Sequence, residues 1–169
     1  TPDLHVLADG VPFVRGENVT LRLGPLGAPI LAVIGIPGQV GSTLAINGKP
    51  LAASECGERY RHAFFSGDGK HWAIHCYSPT AQFVMVDGRR GRNYSNLPSA
   101  IRFTDDGRPV YEASNGNRTF VVVGEEEFGP YEALEWLREP PVLPPGAPPA
   151  SPIEVRGNRV AFLARPLAA

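Results

Sequence analysis

Short, mostly apolar runs alternate with glycine-bearing turns along nearly the whole chain. Leu4-His5-Val6-Leu7-Ala8 leads into Asp9-Gly10, and Thr43-Leu44-Ala45-Ile46 leads into Asn47-Gly48. Phe83-Val84-Met85-Val86 leads into Asp87-Gly88, and Phe120-Val121-Val122-Val123 leads into Gly124. The closing glycines of these four runs stand 38, 40 and 36 residues apart. A second signature falls between them, around Leu21–Gly27, Phe64–Lys70, Arg102–Arg108 and a shortened Val155-Arg156-Gly157-Asn158. Asn-Gly and Asp-Gly fit a type I′ turn, which needs positive φ at both central residues and so joins two antiparallel strands tightly. The flanking runs are rich in β-branched and aromatic residues, which suit a pleated, half-buried surface. Two hairpins per period of about forty residues is the pattern of a β-propeller blade.

This pattern predicts an all-β, small four-bladed β-propeller of about 16 short antiparallel strands, or half of a larger ring that a second copy completes. One domain spans 1–169, with blades at roughly 4–34, 42–77, 82–114 and 119–164. Prolines crowd residues 139–152. Proline lacks the N–H that a ladder needs, so this stretch reads as an extended surface insertion splitting the fourth blade. Glu132 to Arg138 has room for one helical turn, and Gly or Pro breaks the other helical candidates.

The repeats resemble the TolB-like propeller family through Phe65-Ser66-Gly67-Asp68-Gly69-Lys70 and through Val121-Val122-Val123-Gly124 followed by Phe128-Gly129-Pro130-Tyr131. The resemblance implies the repeat type and little about function, because such blades serve many proteins.

Composition narrows the function classes. The net charge is −1, so no global field draws nucleic acid or an anionic membrane. No apolar run is long enough to span a bilayer. Gly and Pro together make 37 of the 169 residues, high but placed at turns rather than spread as low complexity. The start, Thr1-Pro2-Asp3, fits the mature form of an exported, periplasmic protein after signal-peptide removal. Two cysteines are too few for a disulfide scaffold but enough for one bridge.

No nucleophile elbow, phosphate loop or His-Glu-x-x-His motif is present, and Asp9, Asp68, Asp87 and Asp106 occupy turn positions that Asp fills for backbone reasons. The expectation is therefore no catalytic residue, no metal and no cofactor. Cys56, His62, His75 and Cys76 form the best metal candidate, but their spacing fits no zinc pattern. On a strand, His75 and Cys76 would point to opposite faces. A disulfide between Cys56 in a loop and Cys76 near a strand end is favoured over metal binding, with free thiols as the remaining case. A Cys76–His62 nucleophile pair lacks an orienting group and an oxyanion hole. Trp72 and Trp136 read as packing residues.

The loops carry the more suggestive chemistry. Arg89, Arg90 and Arg92 follow Gly88, while Glu125, Glu126, Glu127 and Phe128 follow Gly124 at the matching place in the next repeat. Repeat order sets a basic tip beside an acidic one on one rim, either as a weak surface ion pair or as a polarised face for a protein partner. The opposite rim offers Tyr94 and Ser95, and Ser114 and Asn115, in small polar loops. A rigid β-scaffold without catalytic residues, exported and stapled once, resembles the immunity proteins of type VI secretion systems. That likeness implies a periplasmic inhibitor plugging the active site of a secreted peptidoglycan amidase. The alternatives are a non-catalytic, homodimeric propeller scaffold and, below it, a hydrolase built on a propeller.

Overall fold

The computed structural model describes residues 4–8, 11–16, 18–25, 27–35, 42–51, 56, 59–77, 80–98, 100–136, 143–144 and 150–167. Among them, seventeen β-strands are present and every strand pairing is antiparallel. A hairpin of β1 (Leu4–Ala8) and β2 (Val11–Gly16) comes first. Three sheets follow, each a meander in chain order. The first holds β3 (Asn18–Arg22), β4 (Leu31–Gly35), β5 (Ser42–Ile46) and β6 (Lys49–Pro50). The second holds β7 (Arg59–Phe65), β8 (Trp72–Tyr77), β9 (Gln82–Val86) and β10 (Arg89–Arg90). The third holds β11 (Arg102–Phe103), β12 (Pro109–Asn115), β13 (Arg118–Val123) and β14 (Glu126–Glu135). A second hairpin, β15 (Glu154–Arg156) and β16 (Arg159–Ala161), precedes β17 (Leu163–Pro166), which returns to pair with β14. No helix among the described residues is long and apolar enough to cross a membrane.

The sheets stack face to face, and the apolar runs record it. In β8 and β9, Ile74, Cys76, Phe83 and Met85 face the first sheet and pack with Leu31 and Leu44. Ala73 and Val84 face the third sheet and pack with Tyr111, Ala113 and Val122. A sheet covered on both faces needs continuous apolar strands rather than alternating ones. That is why Trp72 through Cys76 are all buried. The far face of the third sheet, with Val110, Val121 and Val123, packs on Ile153 and the β15–β16 hairpin. At the other end of the stack, β1 and β2 pack on β3 and β4.

The repeat is real but its phase differs from the sequence pattern. Divisions at 34/42, 77/82 and 114/119 would cut each of the three large sheets between its second and third strands, which are paired. Asp-Gly turns mark hairpins, but they do not say which neighbouring hairpins share a sheet. The sheet boundary falls instead at the longer connections after β6 and β10. Glu132–Glu135, expected as a helical turn, belong to β14. Ladder bonds to β13 and β17 outweigh the local preference of so short a segment. Trp72 is core, but Trp136 lies just past β14 and is 39% exposed. The Asp9-Gly10 turn and most of the 139–152 insertion lie outside the described residues.

One latch recurs in all three sheets. Asn47 and Asp87 have φ of 48° and 49°, each followed by a glycine also at positive φ, as a type I′ turn requires. Asn47 Oδ1 accepts from the Ile30 N–H (3.0 Å), and Asp87 Oδ1 accepts from the Trp72 N–H (2.9 Å). Each also donates its own N–H back to the carbonyl of that same residue. In the third sheet the equivalent pair is Gly124 and Pro109, joined by the Gly124 N–H alone at 2.8 Å. Proline has no N–H to satisfy, so a side-chain acceptor opposite it has no work to do. Gly124 takes the required φ of 64° without one.

The first turn of each of the last two sheets is knotted alike. The Ser66 hydroxyl donates to Asp68 Oδ1 (2.6 Å), and that of Thr104 donates to Asp106. Hydrogen bonding from Ser66 and the Lys70 N–H lowers the pKa of Asp68, and Thr104 and Arg108 lower that of Asp106 in the same way. These carboxylates are engaged in turn structure, as their sequence positions predict.

Candidate functional site: two interaction surfaces

Cys56 and Cys76 form a disulfide with Cα atoms 5.0 Å apart, both buried between the first and second sheets. Cys56 falls between β6 and β7, on the connection between those sheets rather than in a loop within a repeat, and its bridge ties it to β8. A loop of 20 residues closed this way stabilises the fold by about 3 kcal/mol in the chain-entropy account. It also removes the thiol of the Cys76–His62 pair. His75 indeed points away from Cys76: its Nε2 lies 2.9 Å from Gln82 Oε1 on the opposite face. Among the described residues no group of three or more His, Cys, Asp or Glu is placed to hold a metal.

The two ends of the stack present different surfaces. At one end, the β12–β13 turn carries Asn115, Gly116, Asn117 and Arg118, all exposed. The segment after β10 braces it from the side. The Ser95 N–H meets the carbonyl of Ser114 and Oδ1 of Asn115, both at 2.9 Å. The Ser95 hydroxyl donates to the Ser114 carbonyl (2.8 Å) and accepts from the Gly116 N–H (3.1 Å). Gln82 anchors the brace in turn, accepting from the Leu97 N–H (3.0 Å) and donating to the Ser95 carbonyl (3.3 Å). Ser95, Ser114 and Asn115 thus spend their hydrogen bonds on shaping this turn.

Tyr94, expected in the same polar loop, is an internal residue at 3% exposure. Its ring packs edge-on against Tyr111, and its hydroxyl donates to Glu127 Oε2 (2.7 Å). Desolvation, then the neighbouring Glu127 carboxylate, drives its pKa far above the ordinary phenol range. Burial alone is the main cause for Tyr111, pushed up to about 12.

At the other end, the β9–β10 and β13–β14 turns flank a slot between the second and third sheets. Its cavity of about 430 Å³ runs into a neighbouring one of about 380 Å³, and Tyr111, Gly91 and Gly124 line both. The arginines and glutamates of the two tips stand on its opposite sides, but they are not equivalent. Arg92 pairs with Glu127 at 3.6 Å. Arg90 lies over the Phe83 ring, 3.7 Å from its centroid, and donates to Asn93 Oδ1 (2.8 Å). Arg89, Glu125 and Glu126 have no side-chain hydrogen bond or ion pair among the described residues. Phe128 is 40% exposed, further along β14. The sequence places Glu127 only within the acidic tip and gives no role to Tyr111 or Gln82; the apolar run Pro109-Val110-Tyr111 is the one signal that marks either of these two.

No protein-family model, no curated protein and no solved structure matches this chain.

Proposed function

We propose that this chain is a non-catalytic protein-binding domain that inhibits its partner: an immunity protein of the periplasm that covers the active-site cleft of a secreted peptidoglycan amidase. The braced turn at 115–118 carries this reading. It is exposed, polar and held in one shape by bonds from a separate segment, so little conformational entropy is lost when it enters a cleft. The buried disulfide suits an oxidising compartment. The stack suits a four-bladed propeller in which the two terminal hairpins are halves of one blade.

The test is capture of a secreted amidase from periplasmic extract on the immobilised, oxidised chain, followed by assay on purified peptidoglycan. The expected result is full inhibition by excess chain, weakened by Asn117→Ala with Arg118→Ala. Retention of no amidase, or an amidase that stays fully active when saturated, overturns the reading. A second reading rests on the same two hairpins: paired between copies, they would close a dimeric scaffold ring. A solution mass of twice the chain, lost together with folding on dilution, favours that scaffold.

A further inference from the structure

The slot at the opposite end has a construction that its flanking charges alone do not explain. Arg89 lies opposite Val86 in register, so its side chain emerges on the face that Val84 and Val86 turn toward the third sheet. Arg90, one residue on, falls on the other face, above Phe83. Across the gap stand Gly124 and Glu125. Lower down, Tyr94, Tyr111 and Val122 fill the space between the sheets. Toward the rim the facing positions are Gly91, Pro109 and Gly124, and none of these carries a side chain large enough to fill it. Gly91 is held there by backbone proximity as well, since a Cβ would sit 2.7 Å from the Val84 carbonyl oxygen.

A short edge strand bearing arginines is also how a sheet discourages edge-to-edge pairing, and that accounts for Arg89-Arg90 as a pair. It does not account for the open space beside them. Nor does it account for Arg89 and Glu125 having no side-chain partner among the described residues, while Arg92 and Glu127 pair beside the same slot.

We propose that the slot receives one large apolar side chain from an extended segment of a protein partner, flanked by an acidic residue on the Arg89 side and a basic residue on the Glu125 side. Val84, Val86 and Pro109 give the anchor apolar walls, and the Tyr111 ring lies at its base. A central anchor in a desolvated pocket with complementary charges at the mouth is the usual division of labour at a protein interface. This surface is remote from the braced turn, so it stands or falls separately from amidase inhibition.

Four fluorescein-labelled short peptides test it by polarisation: Asp-Gly-Trp-Gly-Lys, the same peptide with Asp at both charged positions, with Lys at both, and with Ala in place of Trp. The oxidised wild-type chain is expected to bind the mixed-charge peptide about tenfold more tightly than the other three. Arg89→Glu should move the preference to the doubly basic peptide, and Glu125→Lys to the doubly acidic one. Both positions are exposed turn or edge sites, so the variants are expected to fold, and circular dichroism checks this. Equal binding of the mixed and same-charge peptides, undiminished binding of the Ala peptide, no binding at all, or an unchanged order of preference in folded variants would each overturn the proposal.

Discussion

The two ends of this stack handle polar residues in opposite ways. At the braced turn, Ser95, Ser114, Asn115 and Gln82 satisfy one another and the local backbone, so polarity there builds shape. At the slot, Arg89 and Glu125 have no side-chain partner among the described residues, and two glycines and a proline leave space between them. The lesson is that residue type alone does not identify a binding surface. Polar side chains in a loop of Ser and Asn, such as Ser95 and Asn115, can be spent on its own shape, and a charged tip can be the group left over for a partner.

Four measurements sharpen or break that contrast, beginning with the largest effect. Gln82→Ala removes the anchor of the brace, with its bond to His75, and strands the buried Leu97 N–H, so a loss of about 2 kcal/mol is expected in urea unfolding. A change under about 0.5 kcal/mol would mean the brace is decoration.

Next comes alkaline stability. The native state holds the Tyr111 proton to about 12, whereas an ordinary tyrosine releases it near 10. The folded form thus binds more protons across that window, so its stability is intact below pH 10 and falls as the pH rises toward 12. The Tyr111 share of the loss is about 2 kcal/mol, and Tyr111→Phe should remove that share while the loss due to Tyr94 remains. A titration of tyrosine absorbance alongside unfolding reads both sides of this linkage.

Ser95→Ala should cost about 1 kcal/mol and speed amide exchange at 116–118 while leaving the slot unchanged. Smallest of all, Arg89→Ala and Glu125→Ala should shift stability by less than about 0.5 kcal/mol, because both are exposed and neither side chain has a partner among the described residues. A larger loss in either would show that the charge serves the fold and would remove the basis of the contrast.

Much of the local architecture was readable from the chain. Asn47-Gly48 and Asp87-Gly88 adopt the positive-φ turns their composition demands, and Asp68 and Asp106 are absorbed by turn bonds. The Cys56–Cys76 bridge and the opposed faces of His75 and Cys76 followed from loop reach and strand period. Tyr94 was misread for a physical reason. It sits in a run of small polar residues, and nothing in that run reveals that a gap between two sheets lies beneath it. Trp136 erred in the opposite direction: a large aromatic suggests a core, but its strand ends where the third sheet meets solvent.

By itself, then, the sequence determined the hairpins, because turn dihedrals and strand preference are properties of a few adjacent residues. It also determined that the runs around Phe83–Val86 and Phe120–Val123 would be strands, through their β-branched and aromatic content. Only the tertiary structure decided which hairpins share a sheet, where the slot opens, and which charges are left unpaired. Those depend on longer connections and on facing residues far apart in the chain, such as Tyr94 and Glu127, 33 positions apart, whose meeting no local pattern encodes.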